Sequence, residues 1–283
     1  MSLPVLPQHA LTSDRDLLRL FQRTERLWAE HLGEIEQLDV GVAVTNPDLP
    51  RVCDANRLLE AALPPNQSPE AAFDEVRQYF VNRGVVCGNW QLSTSADAAD
   101  PGHSHLARLL ESLGYRRTTE DVMALGSSAG RSSMPAGENA RTPAPHPVGV
   151  TVLPTRAALR HAWELSRESD TPEAEPTLAD ARMLHLDDSH CDSLLAMQGG
   201  RAVGRVTVFA VGDIGRIDQV HVLSTARRQG LGRLLIGRAL EICARSLFKH
   251  VLLSVAPANT AAISLYRQFG FRKIGEVATY CRP

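Results

Sequence analysis

A short stretch rich in glycine and arginine contains the residues with the clearest chemical potential. Arg227-Arg228-Gln229-Gly230-Leu231-Gly232 follows an apolar, strand-like run at 217–223 and precedes a helical pattern at 231–245. The free N–H groups of a helix's first turn, together with the helix dipole, attract an anion. Glycine lets a phosphate approach the backbone closely, and the two arginines add fixed positive charge. The stretch therefore predicts a pyrophosphate-binding loop.

Two common phosphate motifs do not fit this loop. A P-loop needs a Lys-Ser or Lys-Thr pair after its last glycine, and none follows Gly232. A dinucleotide-binding Gly-x-Gly-x-x-Gly motif needs a third glycine where this chain has Leu235. The spacing that fits is Arg-x-x-Gly-x-Gly after a strand.

A second motif lies about thirty residues further along the chain. After the apolar run 250–255, the sequence matches Asn-x-x-Ala-x-x-Leu-Tyr-x-x-x-Gly-Phe at Asn259, Ala262, Leu265, Tyr266, Gly270 and Phe271. With the loop before it, this pattern resembles the GNAT superfamily of N-acetyltransferases, from about residue 148 to the C-terminus. The resemblance implies an α/β fold whose mixed, mostly antiparallel central sheet is flanked by helices.

The resemblance also implies a function and assigns roles to residues. The chain is expected to bind acetyl-CoA as co-substrate and to move the acetyl group directly to a primary amine. The pyrophosphate of acetyl-CoA would contact the backbone of 227–232, and the pantetheine arm would pair with the strand at Val220 and Val222. The Val222 N–H would lie near the thioester carbonyl, Asn259 would touch the cofactor or cap its helix, and Tyr266 would protonate the leaving thiolate.

The group that removes the amine proton is less clear from the sequence. Asp218 lies two residues before Val220, so in a regular strand it shares the face of the two valines. His221 faces the opposite way in a regular strand, but a bulge could re-aim it. Both side chains are candidate bases, and proton removal by water is the alternative.

Two rival functions remain open. A non-catalytic acyl-CoA sensor or interaction protein would keep the loop but lack an effective acid and base. An enzyme that binds another nucleotide pyrophosphate would also need a phosphate loop. If CoA, but not ATP or NAD, competes for the site, the hypothesis of another nucleotide pyrophosphate is excluded in favour of acetyl-CoA.

Composition narrows the class of protein further. The 283 residues carry a net charge of −2, so no basic field favours nucleic acid. No apolar run is long enough for a membrane span, and no signal-like N-terminus is evident. The five cysteines lack Cys-x-x-Cys spacing, which predicts reduced thiols in a cytoplasmic protein without a disulfide framework or metal site.

A Gly-, Ser- and Pro-rich stretch at 126–147 predicts a flexible linker between an N-terminal part, 1–125, and the acetyltransferase domain, 148–283. The N-terminal part predicts a smaller α/β domain. Its end, a helix followed by Gly114-Tyr115-Arg116 and a strand, echoes the C-terminal Gly270-Phe271-Arg272, which indicates a degenerate GNAT-like half. We expect it to shape or cover the acceptor site, or to form the surface of a homodimer.

Apolar periodicity predicts the individual elements. In the N-terminal part, helices are expected at 14–31, 53–62, 69–82 and 105–113, and strands at 40–45, within 84–92, and at 122–125. In the C-terminal part, strands are expected at 148–153, 193–198, 201–210, 214–223, 250–255 and 272–280, and helices at 155–168, from 230, and at 260–269.

Overall fold

Most helices and strands lie close to where the apolar periodicity places them. The computed structural model describes residues 13–93, 101–126, 147–168 and 183–282, so all but the two ends of the predicted linker 126–147 lie outside the described residues. The helices are α1 (Asp14–Ala29), α2 (Pro69–Asn82), α3 (Pro101–Ser112), α4 (Leu159–Arg167), α5 (Leu231–Arg245) and α6 (Thr260–Gln268). The strands are β1 (Glu34–Leu38), β2 (Gly41–Thr45), β3 (Arg57–Ala61), β4 (Asn89–Leu92), β5 (Arg116–Leu125), β6 (Val150–Pro154), β7 (Cys191–Gln198), β8 (Arg201–Val211), β9 (Ile214–Val222), β10 (His250–Val255) and β11 (Phe271–Cys281).

These strands form one sheet in the order β1-β2-β3-β4-β11-β5-β10-β9-β8-β7-β6. The pairs β3–β4 and β9–β10 are parallel, and the other neighbours are antiparallel. Parallel neighbours need a crossover connection, and α2 and α5 supply it. The mixed, mostly antiparallel sheet flanked by helices confirms the predicted fold class.

The two parts of the chain exchange their last strands. β5, from the N-terminal part, lies between β10 and β11, while β11 lies between β4 and β5. The β5–β11 ladder runs from Phe271 opposite Leu125 to Cys281 opposite Arg116. The N-terminal part is therefore continuous with the C-terminal sheet, although the division of the chain into domains at the linker stays a prediction.

The element order of the N-terminal part is repeated in the C-terminal part. The series α1-β1-β2-β3-α2-β4-α3-β5 corresponds to α4-β7-β8-β9-α5-β10-α6-β11, and β6 is an addition before the second series. This correspondence places β3 and α2 of the first part where β9 and the loop-bearing α5 lie in the second. It supports the prediction of a GNAT-like N-terminal half.

The helix predicted at 53–62 is wrong. A single 3-10 turn (Cys53–Ala55) is followed by β3, which lies between β2 and β4. Leu58 and Leu59 point to opposite faces of the sheet and are both fully buried. The segment therefore forms a strand although its residues favour a helix, because burial on both faces of the sheet outweighs a weak local preference.

Two layers of helices cover the sheet. On one face, Phe21 of α1 packs with Val122 and Leu252, and Ser166 of α4 accepts a hydrogen bond from Arg205 at 2.7 Å. On the other face, α5 buries an apolar cluster that also contains Tyr266 of α6: Leu231, Leu235, Ile236 and Ala239. Side chains of β9 thus point alternately toward the α1/α4 face and the α5/α6 face.

Candidate active site

The predicted pyrophosphate loop connects β9 to α5 through a 3-10 turn at Ser224–Ala226. Gly230 is the N-cap residue of α5 with φ +84°, a left-handed conformation that favours glycine. Within the described residues, no side chain caps the first turn of α5. Leu231 is buried and fixes the start of the helix in the core. The first-turn N–H groups are therefore available to an anionic ligand.

The side chains around the loop hold its shape. Arg227 Nε donates to the Val222 carbonyl oxygen at 3.0 Å, which ties the loop to the end of β9. Gln198 Nε2 donates to Gln229 Oε1 at 3.3 Å. A Cβ on Gly232 would lie 3.2 Å from Leu265 Cδ2, so this position lets α5 and α6 pack closely. Arg228 is exposed beside the helix start, with its backbone at φ +65°.

A gap opens between β9 and β10 directly below this loop. Their parallel pairing runs from His250 opposite Ile214 to Leu252 opposite Arg216 and goes no further in the described sheet. Beyond Leu252, β10 continues to pair with β5. Val220 and Val222 lie on the stretch of β9 that borders the gap and are partly exposed. Their backbone groups on this side are not used by β10 and suit an extended ligand such as a pantetheine arm.

A β-bulge in β9 changes which residues share a face. Thr207 lies opposite Asp218 and Arg205 opposite His221, so the single residue between them on β8 faces two residues on β9. Gln219, at the bulge, has φ +48°. Asp218 and His221 consequently share the α1/α4 face.

The valines lie on the other face of the strand. The Val222 side chain is on the side of α5, near Gly204 and Leu235, and Val220 packs against the same cluster. The expectation that Asp218 shares their face is therefore wrong, because the extra residue of the bulge shifts the alternation. His221 is not re-aimed: it follows the bulge and faces away from Val220 and Val222, as in a regular strand.

Asp218 is held by hydrogen bonds on both carboxylate oxygens. Its Oδ2 lies 2.8 Å from Arg216 Nη2, and its Oδ1 accepts the Gln219 N–H at 2.6 Å. Arg216 is buried and also contacts Glu25 of α1. The two engaged oxygens favour a role for Asp218 in positioning Arg216 and the bulge.

Glu25 is the centre of a buried charge network that links the two parts of the chain. Arg57 Nη1 of β3 lies 3.5 Å from its Oε2, and Arg216 contacts its Oε1. Burial by itself raises the pKa of Glu25, but the guanidinium groups of Arg216 and Arg57 outweigh this and lower it. The carboxylate is therefore ionised at neutral pH.

Tyr266 lies on α6, near enough to Asp218 of β9 to sense its charge, and is only 5% exposed. Its ring packs edge-on against Phe271, with the ring centroids 6.1 Å apart. Burial, and secondarily the charge of Asp218, raises the pKa of Tyr266 to about 12. The phenol therefore keeps its proton at neutral pH, as a proton donor must. Asn259 caps α6, since its Oδ1 accepts the Ala262 N–H at 3.2 Å.

Glu120 is a site residue that the sequence reasoning missed. It lies on β5, diagonally across from Ser254 of β10. Desolvation, together with the charges of Glu25 and Asp218, raises the pKa of Glu120, while Ser254 and Arg216 oppose the shift. No local signal identifies this residue, because only the insertion of β5 beside β10 brings it to the gap.

The acidic and histidine residues near the start of β7 have a structural arrangement of their own. Asp188 Oδ2 lies 3.0 Å from His31 Nε2, and Asp188 Oδ1 lies 2.8 Å from His190 Nδ1.

Among the helices of the described ranges, none is both long and apolar enough to cross a membrane.

Comparison with known proteins identifies the class of the C-terminal part. Residues 156–271 match the model of the Acetyltransferase (GNAT) family. This range contains the loop, the β9–β10 gap and Tyr266. The C-terminal part of the chain is therefore a GNAT-family acetyltransferase domain.

Curated relatives are similar to about a third of this chain. N-acetyltransferase family 8 member 3 of Rattus norvegicus is 31% identical over 105 residues, which cover 35% of this chain and 46% of that protein. The matching protein from Mus musculus is 30% identical over the same length and with the same coverage. The chain thus spans about half the length of the curated relatives that it matches.

A solved structure shares the fold over a larger range. A GCN5-related N-acetyltransferase from Kribbella flavida has a TM-score of 0.57 at 17% identity, covering 93% of this chain and 95% of its own. At this identity the likeness concerns the fold alone. Because it covers most of the chain, the shared fold includes the N-terminal part.

Proposed function

We propose that this protein is an N-acetyltransferase that moves the acetyl group of acetyl-CoA directly to a primary amine. The observation that carries the proposal is a conjunction at one place: the uncapped start of α5, the gap between β9 and β10, and the buried phenol of Tyr266. Each feature alone has other uses. Together they match the three segments of the donor, which are a pyrophosphate, an extended arm and a thioester.

In this proposal the pyrophosphate binds the backbone N–H groups at 227–232, and Arg227 and Arg228 supply positive charge. The pantetheine arm lies in the gap and pairs with the backbone of β9 at Val220 and Val222. The Val222 N–H then donates to the thioester oxygen and stabilises the negative charge that develops during attack.

The acyl transfer itself needs no covalent enzyme intermediate. The amine nitrogen bonds to the thioester carbonyl carbon, and the carbon–sulfur bond breaks. The CoA thiolate takes the proton of the Tyr266 hydroxyl, which burial keeps protonated at neutral pH. None of the cysteines lies in the loop or on β9.

The corresponding place in the N-terminal part is not suited to a second donor site. Ser68 caps α2, and its Oγ accepts the Ala71 N–H at 3.2 Å. Pro69, at the start of α2, has no N–H to offer. The parallel β3–β4 pairing extends as far as Ala61 opposite Leu92. We therefore assign a single acetyl-CoA site, in the C-terminal part, and a structural and acceptor-side role to the N-terminal part.

Calorimetric titration of acetyl-CoA tests the donor site. We expect the wild type to bind and the double variant Arg227→Glu, Gly230→Asp to lose binding, because it places two negative charges at the pyrophosphate. Gly84→Asp is the matched control: Gly84 also has a positive φ of +71° and open space around it, but it follows α2, outside the proposed donor site. Equal binding by the double variant and the control would contradict the proposed site.

Competition and turnover separate the remaining functions. CoA should displace acetyl-CoA, whereas ATP and NAD should not. Release of CoA thiol with primary amines then distinguishes an enzyme from a non-catalytic sensor, which would bind acetyl-CoA without transfer.

A further inference from the structure

β5 carries a carboxylate of the N-terminal part just past the end of β10, the strand that borders the gap. β5 occupies the sheet position on the far side of β10 from β9, and its ladder with β10 runs to Asp121 opposite Val255. Glu120 is the next residue of β5, at the point where β10 ends. Val122 and Ala124 of the same strand pack in the cluster on the α1 face, so Glu120 points to that face as well. It therefore shares the face of Asp218.

The surroundings of Glu120 differ from those of the other carboxylates in this region. Glu25 is paired with Arg216 and Arg57, and both oxygens of Asp218 are engaged. Glu120 forms no ion pair with a lysine or arginine of the described residues, and Arg216, whose charge it senses, is paired with Glu25 and Asp218. It also retains access to solvent. A carboxylate of this kind is free to accept a proton and to release it to water.

We propose that Glu120 is the residue that removes the proton from the amine acceptor. The proposal rests on the proposed acetyl transfer and makes the active site a product of both parts of the chain. Its geometric basis is the exchange of β5, which brings Glu120 diagonally across from Ser254 at the end of β10; Glu120 and Tyr266 both lie near enough to Asp218 of β9 to sense its charge.

The protons balance as follows. The acceptor arrives as an ammonium ion and gives one proton to the Glu120 carboxylate, which passes it to water. The neutral nitrogen then attacks the thioester carbon, the carbon–sulfur bond breaks, and the thiolate takes the Tyr266 proton. The second proton on the nitrogen returns, through water, to the Tyr266 phenolate. The raised pKa of Glu120 suits this role, since a more basic carboxylate accepts a proton more readily.

The test uses the full chain with acetyl-CoA and three primary amines: a diamine, an amino sugar and a lysine-containing peptide. Thiol release is followed across pH for the wild type, Glu120→Gln and Glu276→Gln. Glu276, on the neighbouring β11, contacts Lys273 and is the matched control, because it lies opposite Asp121 and so on the other face of the sheet from Glu120. Circular dichroism and acetyl-CoA calorimetry establish that each variant is folded and loads the donor.

For Glu120→Gln we expect unchanged acetyl-CoA affinity, a fall in kcat of about 100-fold or more, and loss of the acidic limb of the kcat/KM profile. Glu120→Asp should restore part of the rate and the limb. Glu276→Gln should behave as the wild type. An unchanged kcat and a retained acidic limb in Glu120→Gln, with or without a higher amine KM, would overturn the assignment of Glu120 alone. Absence of transfer to all three amines by the wild type, despite acetyl-CoA binding, would overturn the proposed function as well.

Discussion

The buried contact between Glu25 and Arg216 gives the sharpest prediction about stability. The side chains are 9% and 6% exposed, and they join α1 of the N-terminal part to β9 of the C-terminal part. Removing one member of a buried ion pair typically costs about 3–5 kcal/mol, because the other charge stays buried without compensation. Asp218, 2.8 Å from Arg216, still offers a partner. For Glu25→Gln we therefore expect the free energy of unfolding to fall by about 3 kcal/mol, the lower end of this range.

Equilibrium unfolding in urea and thermal unfolding measure this loss. For a chain of this size, about 3 kcal/mol corresponds to a fall in Tm of roughly 6–12 °C. Glu241→Gln is the matched control, since Glu241 pairs with Arg238 at 2.8 Å while both side chains are largely accessible. An exposed pair of this kind contributes about 0–1 kcal/mol.

The pH dependence provides a second measure of the same contact. The pKa of Glu25 is lower in the folded state than in the unfolded state. The ionised carboxylate therefore stabilises the fold above the unfolded-state pKa, and this stabilisation disappears as pH falls through the folded-state pKa. The difference between wild type and Glu25→Gln should therefore shrink in acid. A loss for Glu25→Gln no larger than that for Glu241→Gln at neutral pH would refute the argument.

Three further predictions concern packing, the acid and a buried histidine. Gly215→Ala should destabilise the protein by about 1–3 kcal/mol in urea unfolding, since its Cβ would lie 2.5 Å from Phe248 Cδ2; Gly237→Ala, where nothing lies within 4 Å, should cost nothing. Tyr266→Phe should lower kcat about 100-fold with acetyl-CoA affinity unchanged. The wild-type rate should not fall up to pH 10, because the phenol has a pKa of about 12. A full rate in the variant would exclude the phenol as acid. Burial, with the charge of Arg205, lowers the pKa of His185 to about 3, so wild-type stability should fall as pH drops from about 6.5 toward 3, and His185→Asn should flatten that slope in acid titrations of unfolding.

The local structure of the proposed donor site could be predicted from the sequence. The loop 227–232, the helix that follows it and the cap at Asn259 depend on residues close together in the chain. Glycine at a left-handed position and asparagine at a helix start are short-range signals, because they act on the backbone of their own few residues. The strands β8 to β10 were likewise visible as apolar runs bounded by turns.

The arrangement on the α1/α4 face could not be predicted in this way. The bulge at Gln219 reverses the face of Asp218 relative to the valines, and a single inserted residue has no apolar signature in the sequence. The pattern at 53–62 predicts a helix, but residues 57–61 form a strand. Burial between two neighbouring strands decides their conformation. Both errors arise where the pairing partner determines the outcome.

The class of the fold, the glycine-initiated helix after 227–232 and the helix that carries Tyr266 follow from the sequence alone. Only the tertiary structure decided that β5 and β11 change places, as in the bond from Thr118 Oγ1 to the Thr279 carbonyl oxygen, 161 residues apart at 3.1 Å. The same exchange places Glu120 beside Ser254 and brings Glu25 to Arg216. The physical reason is that a strand's side-chain pattern encodes its buried faces, whereas its neighbours in the sheet are chosen by the packing of the whole chain.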